Sequence, residues 1–415
     1  MSNNTNRSNH HTTNIPPSSN AHQAEAHNEK NYFSALADKY SKASHILYIV
    51  LAGCLVFTLL FNSKLLTYNN FNYLLRDLDS AAEIASENYN SISYTNDELR
   101  VTKGFRGGIV TASTTDIAIY TATGKKTLYT NEIFVAPEIV SSQKYAIVYD
   151  LGGYNYNIYN SFAKVHSQKS THPISSIAVS DNGSYAVVSK DNEHTSVVYL
   201  YDNDFKLLNT YMFASKYVFS VSINPTGTRI AIVTVEPVAT GDKFLTSVMI
   251  CEPGKKSAKA TVNLSEGLPY GSAFSDSGTL QVICSDGLYV LDENSGEVKN
   301  QFEIENDRSH RITIGKYGCA IALFNNSATV NYTVLVFDKN GNMIYNVDVT
   351  NGILDMEYFK DHIFINQTDS LLKINVKNGK EYITPIFDKS EDIIIYNENN
   401  VLLCCQTKAK YLKIQ

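Results

Sequence analysis

Large apolar side chains are distributed along the chain in three distinct patterns. Positions 1–30 carry almost none, positions 43–63 form one uncharged run, and the rest of the chain alternates short apolar runs with polar turns. The uncharged run, ASHILYIVLAGCLVFTLLFNS, would span roughly 31 Å as a helix at 1.5 Å per residue, which matches the hydrocarbon core of a bilayer. A core helix of a soluble protein keeps a polar face, and this run has none. We therefore predict one transmembrane helix at 43–63.

The segment that precedes this run, 1–42, is predicted to be a disordered polar tail. It has too few apolar side chains to offset the entropy lost when a backbone becomes ordered. Its histidines have no cysteine or carboxylate partner at metal-ligand spacing, so we expect no metal there.

The membrane segment is predicted to be an uncleaved signal anchor of a single-pass protein. More than forty residues precede it and no A-x-A-like cleavage site follows it, which argues against a cleaved signal peptide. Lys30, Lys39 and Lys42 on its N-terminal side outnumber Lys64 and Arg76 on the other. The positive-inside rule then predicts a cytoplasmic tail and an extracytoplasmic C-terminal domain in the cell membrane.

A stalk is predicted at 64–90, partly helical because its apolar residues recur at helical spacing. Leu74, Leu78 and Ala82 fall on one stripe of such a helix. The stripe allows oligomer formation through the stalk, or simple packing beneath the domain that follows.

The remaining segment, 91–415, repeats a unit of strand, turn, strand, strand, turn and a more polar strand. The first turn of each unit recurs at intervals of about 36 to 51 residues, in or near the range of four-stranded propeller blades. These turns lie near Gly107, Gln143, Gly183, Gly227, Gly278, Gly318, Lys360 and Asn399. The pattern predicts an all-β fold, an eight-bladed β-propeller, with seven blades as the alternative.

The last unit contains only three strands before the chain ends at Gln415. We predict that Ser91–Thr95 supplies its fourth strand and so closes the ring, which leaves no strand edge exposed at the junction.

Little in the composition indicates catalysis, metal binding or nucleic-acid binding. The chain after residue 42 has 31 Lys or Arg against 38 Asp or Glu, so nucleic acid is not an expected partner. Turns such as Ser180–Gly183 and Asp338–Gly341 resemble calcium loops, but they recur between strands and lack the EF-hand spacing, so hairpin turns explain them. No C-x-x-C, G-x-S-x-G, Walker or H-E-x-x-H motif occurs. We expect no cofactor, no metal and buried cysteines.

Two local features depart from the repeat and give the candidate ligand-binding residues. One is the Gly-rich, aromatic turn that contains Asp150, Gly152, Gly153 and Tyr154, and the other is the turn with Arg106. Glycines beside tyrosines allow a sugar ring or another backbone to come close, and Arg106 and Asp150 would face each other if these turns met. The alternative is a tight turn whose aromatics pack between blades.

The layout resembles single-pass, membrane-anchored propeller proteins of clostridia and related Firmicutes that carry a domain of unknown function. The resemblance rests on the order of tail, span, stalk and propeller and on the pattern Y-D-x-G-G-x-x-Y-x-I-Y-N at Tyr149–Asn160. It implies a quinoprotein- or WD-like repeat architecture at the cell surface and no catalytic residue. The chain has no Trp, so it lacks both the Trp-Asp signature and the Trp-docking motif.

These observations favour a membrane-anchored binding or scaffolding module for a protein or cell-envelope polymer. A propeller enzyme of lyase, lactonase or glycosidase type is the alternative, and it requires polar side chains that converge at the channel mouth. The first strands of the units look apolar and small, so we expect no enzyme. A sensor that signals through the membrane helix is a third possibility.

Overall fold

The computed structural model of this protein describes residues 19–61, 75, 91–94, 100–238, 243–304, 309–325 and 331–414. Contacts divide the chain into two units, Met1–Arg76 and Asp77–Gln415. In the first unit the structure describes the helix α1 (Ser19–Phe61), of 43 residues.

The helix α1 begins well before the apolar run. Residues 19–42 were predicted to be a disordered tail, and the structure places them in the helix. Their sequence explains the difference, because it is rich in Ala, Glu, Gln and Lys, which have high helix propensity, and contains no Pro or Gly.

The predicted membrane span and stalk are only partly described. Residues 43–61 of the span belong to α1. No helix among the described residues is both long enough and apolar enough to cross a membrane. The stalk at 64–90 lies outside the described residues apart from Leu75, which is helical.

The second unit is built from eight four-stranded antiparallel sheets, counted over the part of the chain that the structure describes. We call these sheets blades 1 to 8. The short strand β1 (Ile92–Ser93) precedes blade 1 and belongs to blade 8. The strands of blades 1 to 4 are β2 (Val101–Phe105), β3 (Gly108–Ala112), β4 (Asp116–Tyr120) and β5 (Lys126–Asn131); β6 (Pro137–Ser141), β7 (Ala146–Asp150), β8 (Asn155–Tyr159) and β9 (Lys164–Lys169); β10 (Ile174–Val179), β11 (Tyr185–Ser189), β12 (Ser196–Tyr201) and β13 (Leu207–Phe213); and β14 (Tyr217–Ile223), β15 (Ile230–Pro237), β16 (Phe244–Cys251) and β17 (Ala258–Ser265).

Blades 5 to 8 continue in the same order. Their strands are β18 (Pro269–Phe274), β19 (Thr279–Cys284), β20 (Gly287–Asp292) and β21 (Val298–Glu303); β22 (Ser309–Gly315), β23 (Gly318–Phe324), β24 (Tyr332–Asp338) and β25 (Met343–Val349); β26 (Ile353–Phe359), β27 (His362–Gln367), β28 (Ser370–Asn375) and β29 (Lys380–Pro385); and β30 (Ser390–Asn397), β31 (Asn400–Cys405) and β32 (Lys408–Lys413).

The blades form a closed ring around a central channel. The first strand of every blade contacts the first strand of the next, and β30 of blade 8 contacts β2 of blade 1. Neighbouring blades cover both faces of the second and third strands, so these strands are buried at most positions. All six positions of β19 are buried, for example, whereas the outer strand β21 alternates exposed and half-buried positions. The predicted eight-bladed propeller is confirmed.

The ring is closed by the strand predicted from the sequence. In β1, Ile92 pairs with Ala409 and Ser93 pairs with Lys408 of β32, so the sheet order of blade 8 is β1-β32-β31-β30. Ile92 is 1% exposed and packs in a cluster with Ile109 and Leu402 from blades 1 and 8. The two ends of the domain therefore stabilise one another.

The propeller has two different faces. The turn face carries the turns between the first and second and between the third and fourth strands of each blade. The link face carries the turns between the second and third strands and the connections between blades.

Six first strands have the same irregularity close to the link face. In blades 3 to 8 the pairing register shifts by one residue near the start of the first strand, as in a β-bulge. The extra residues are Ser175, Phe219, Tyr270, His310, Leu354 and Glu391. Blades 1 and 2 pair without this shift.

Candidate functional site

At the turn-face end of the central channel, all eight first strands contribute to a cavity of about 860 Å³. Its charged residues are Lys103, Arg106, Asp181 and Lys316, so this mouth carries more positive than negative charge. Hydroxyl groups line the wall between them. Ser222 donates to Ser272 O at 2.7 Å and pairs with the hydroxyl of Ser272 at 2.7 Å.

Arg106 lies at this mouth, in the turn between β2 and β3. Its φ of 46° is in the left-handed region, and its Nη1 donates to Gln143 O of blade 2 at 2.5 Å. The side chain therefore links two blades as well as lining the cavity.

Asp150 lies at the other face of the propeller, at the end of β7. It is 8% exposed, and its Oδ1 accepts from Val135 N at 2.9 Å and from Ala136 N at 2.7 Å. The carboxylate thus holds the connection from blade 1 to blade 2. The proposed pairing of Arg106 with Asp150 is wrong, because the two side chains belong to turns on opposite faces.

The glycines beside Asp150 join blade 2 to blade 3. Gly152 N donates to Ile174 O at 2.8 Å, and Ile174 N donates to Gly153 O at 2.7 Å. A Cβ at Gly153 would lie 2.5 Å from Asp150 Oδ2, so only glycine allows this approach. Tyr154 remains 43% exposed on the link face. The turn is a structural junction in which the side chain of Tyr154 stays exposed.

Three carboxylates that are not among the candidates predicted from the sequence lie together on the channel wall. They are Asp355 and Glu357 of β26 and Asp392 of β30, and Lys103 of β2 interacts electrostatically with Glu357. Ile393 N donates to Asp355 Oδ2 at 2.9 Å. The expectation of apolar inner strands without convergent acids is therefore wrong for blades 7 and 8. The alternating Asp355-x-Glu357 on a first strand was the available signal, because alternate residues share one face of a strand.

The surroundings of Glu357 disfavour its charged form. Loss of hydration between the blades raises the pKa of Glu357 to about 7, and the negative charges of Asp355 and Asp392 add to the effect while Lys103 opposes it. The side chain is still exposed to the channel. Desolvation also raises the pKa of Asp355, against the hydrogen bond from Ile393 N. Glu357 is thus a carboxyl group that changes charge near neutral pH.

A second cavity, of about 260 Å³, lies between blades 8 and 1. We call it the seam pocket, because the ring closes here. It is lined by Tyr94, Arg100, Thr102, Glu391, Asp392, Cys404, Cys405 and Gln406. Gly104 of β2 allows the two blades to come close, since a Cβ there would lie 2.9 Å from Ile394 Cγ2.

The described residues contain no group of three His, Cys, Asp or Glu side chains placed to hold a metal ion. The five cysteines of the propeller are buried and not in disulfides. Desolvation raises the pKa of Cys251 to about 11 and that of Cys284 to about 12, so neither thiol is activated as a nucleophile.

The link face also exposes large apolar side chains. Ile133 is 85% exposed, Val135 77% and Phe387 95%. The other exposed large apolar residues near this face are Leu151, Tyr154, Tyr217, Phe219, Phe244, Leu268 and Phe324. By the same criterion the exposed large apolar residues near the turn face, among the described residues, are Phe162, Leu207, Leu208, Val298, Met343 and Ile344, and none of them is more than 53% exposed. The most exposed apolar side chains therefore belong to the link face.

The comparisons with known proteins agree with this architecture. Residues 81–414 match the model of a family of unknown function, DUF5711. The chain belongs to this family. The match covers the whole propeller, so the family domain and the propeller are the same unit, as the resemblance in the sequence implied. No curated protein matches the chain.

Solved propellers resemble this member of the family in fold alone. BamB from Moraxella catarrhalis is 12% identical with a TM-score of 0.50, over 79% of this chain and 99% of that one. A computationally designed protein, Ika8, is 11% identical with a TM-score of 0.54, over 79% and 98%. The C-terminal WD40 domain of Sif2 is 10% identical with a TM-score of 0.51, over 79% and 98%.

Proposed function

We propose that this protein is a scaffold that binds a protein partner through the link face of its propeller. The observation that carries the proposal is the degree of exposure of Ile133, Val135 and Phe387, which are 77% to 95% exposed, whereas the described large apolar side chains near the turn face are at most 53% exposed. Exposed apolar patches of this kind mark interaction surfaces in soluble domains. A cell-envelope polysaccharide is a less suitable partner for Ile133 and Val135, because aliphatic side chains offer it no hydrogen bonds.

Site-specific photo-crosslinking in living cells tests this proposal. A photoreactive residue at Val135 or Phe387 should give an adduct with the same protein partner, whereas one at the exposed Thr226 of the turn face should not. Substituting Ile133 and Val135 together by Asp should reduce the adduct formed at Phe387 at least tenfold, and Thr226→Asp should leave it unchanged. Equal adducts from both faces, or none from the link face, would refute the proposal.

The proposal also includes the subcellular location of the protein. The uncharged segment 43–63 supports attachment to the cell membrane, and the lysines before it support a cytoplasmic tail with the propeller outside. Protease added to intact cells should then remove the propeller and leave an N-terminal epitope tag protected. Cleavage only after the cells are lysed would contradict this topology.

Catalysis in the channel is the second candidate, favoured by the convergence of Asp355, Glu357 and Asp392. A carboxyl group with a pKa of about 7 suits general acid or base chemistry at neutral pH. If the channel catalyses a lyase or hydrolase reaction, Glu357→Gln should lower the rate constant at least a hundredfold without unfolding the protein. Partner crosslinking should be unaffected by that substitution, which separates the two candidates.

A further inference from the structure

Three charged residues line the seam pocket, and of these Arg100 is paired with a carboxylate of the protein outside the lining, Asp116, whereas Glu391 and Asp392 have no ion-pair partner among the described residues. Arg100 and Asp116 form an ion pair at 3.3 Å, and their side chains are only 5% and 13% exposed. The guanidinium of Arg100 also lies 5.2 Å from the ring centroid of Tyr94. The charge of Arg100 is therefore matched within the protein before any ligand arrives.

The unbalanced charges are Glu391 and Asp392. Both carboxylates are exposed and line the pocket, and within the described residues neither has an ion-pair or side-chain hydrogen-bond partner. The register shift between Ser390 and Asp392 adds Glu391 to the strand, and such a bulge re-aims side chains next to it. The pocket therefore carries about two uncompensated negative charges.

Thr102 gives an independent indication of a ligand. It lines the pocket opposite the carboxylates, on β2 of blade 1, and is only 7% exposed. Its hydroxyl has no hydrogen-bond partner in the part of the chain that the structure describes. Because Thr102 lines the pocket, its hydroxyl is available to complete its hydrogen bonds with a bound group.

The chemistry of these acceptors defines the ligand. A primary ammonium has one positive charge and three N–H donors, which match two carboxylates and one hydroxyl oxygen. A divalent metal would need several waters to complete its coordination here, and the described residues contain no group of three His, Cys, Asp or Glu side chains placed to hold a metal ion. A volume of about 260 Å³ lies below the range of drug-sized sites, so the ligand is a short molecule. Further along the wall, Asp355 and Glu357 outnumber Lys103 and extend the negative potential.

We propose that the seam pocket binds a small organic cation through a primary ammonium group, held by Glu391, Asp392 and Thr102. This site is separate from the apolar link-face patch of the proposed scaffold and does not depend on it.

Calorimetric titration of the full-length protein with putrescine in 0.15 M salt tests the proposal. Putrescine should bind at one site, and tetramethylammonium, a cation without N–H donors, should bind at least tenfold more weakly. The double variant Glu391→Gln/Asp392→Asn should weaken putrescine binding at least tenfold. The control variant Glu303→Gln/Glu381→Gln removes two exposed negative charges from outer strands and should bind as the wild type does.

Thr102 provides a test that does not alter charge. Thr102→Val should weaken putrescine binding several-fold, whereas Thr102→Ser, which keeps the hydroxyl, should not. Circular dichroism would show whether each variant is folded, and if the double variant is not, the Thr102 pair decides the question. The proposal is overturned if putrescine does not bind, if tetramethylammonium or Mg²⁺ binds as tightly as putrescine, or if Thr102→Val binds normally.

Discussion

Asp150 shows how a single polar side chain holds two blades in place. Its carboxylate accepts two backbone N–H groups from the preceding connection and is almost fully buried. Asp150→Ala leaves both donors without a partner, so we expect a loss of about 2 to 4 kcal/mol in the free energy of unfolding. Urea denaturation measures this loss, with Glu303→Ala, at an exposed position of an outer strand, expected to change stability by less than about 0.5 kcal/mol. An unchanged midpoint for Asp150→Ala would favour a ligand-binding role instead.

Glu357 should make stability depend on pH in the opposite sense to an ordinary ion-paired carboxylate. Its pKa is about 7 in the folded chain, against about 4.3 in an unfolded one. The protonated form is then favoured by folding, so its contribution is complete below the unfolded value and is lost as the pH rises through about 7. Glu357→Gln should therefore raise the thermal unfolding midpoint more at pH 8 than at pH 5. The same shift at both pH values would contradict the assigned pKa.

The residues singled out from the sequence were only partly informative about the site. Gly-rich, aromatic turns are conspicuous in a sequence. The turn that contains Asp150 and Gly153 forms a junction between blades. The carboxylates of the channel were less conspicuous, because Asp355 and Asp392 are 37 positions apart. They come together because blades 7 and 8 are neighbours in the ring and their first strands, β26 and β30, are in contact. The local sequence pattern therefore predicts the turns, whereas the cluster of Asp355, Glu357 and Asp392 can be recognised only once the arrangement of the blades is known.

The short strand β1 is the element on which ring closure depends. Ile92 is 1% exposed and is clustered with side chains of blades 1 and 8. Removing most of its side chain should cost about 2 to 4 kcal/mol, as for other buried aliphatic residues. Urea denaturation of Ile92→Ala tests this value, with Ser93→Ala at the exposed neighbouring position as the control. Hydrogen exchange should show the earliest loss of protection in β32, and loss elsewhere first would mean that the ring does not open at this seam.

Elements differ in how far the sequence specifies them. The turns after the first strands were placed correctly because Asn, Asp and Gly recur there for local backbone reasons. The closing strand β1 was predictable because the last repeat of the sequence contains only three strands, which would leave one edge of its sheet unpaired. The bulges of blades 3 to 8 were not predicted, because an extra residue in a first strand has no compositional signature. The start of α1 was missed because its polar half has helix propensity without amphipathic periodicity.

At the scale of the whole propeller, the turn face, the link face and the channel wall are three different kinds of surface. The channel mouth at the turn face has excess positive charge, the link face carries the most exposed apolar side chains, and the wall between blades 7, 8 and 1 is acidic. A partner protein would therefore use a different part of the molecule from a small cation or a catalytic substrate, whose sites share Asp392. The variants described for each surface can be combined, and additive effects are expected where the sites lie more than about 10 Å apart.

Thiol labelling of the cysteines tests the membrane segment and the propeller in one measurement. Cys54 is exposed on α1 within the uncharged segment, and the other five of the six cysteines are buried in the propeller. A charged maleimide should label none of the propeller thiols in the folded protein, because burial hinders access and raises the pKa of thiols such as Cys251 and Cys284. Membrane attachment through 43–63 would also shield Cys54, so intact membranes should show no labelling, and detergent-solubilised chains unfolded in urea should show six labelled thiols. One labelled thiol in intact membranes, lost in Cys54→Ser, would place this segment in water and overturn the anchoring proposal while leaving the propeller assignments unaffected.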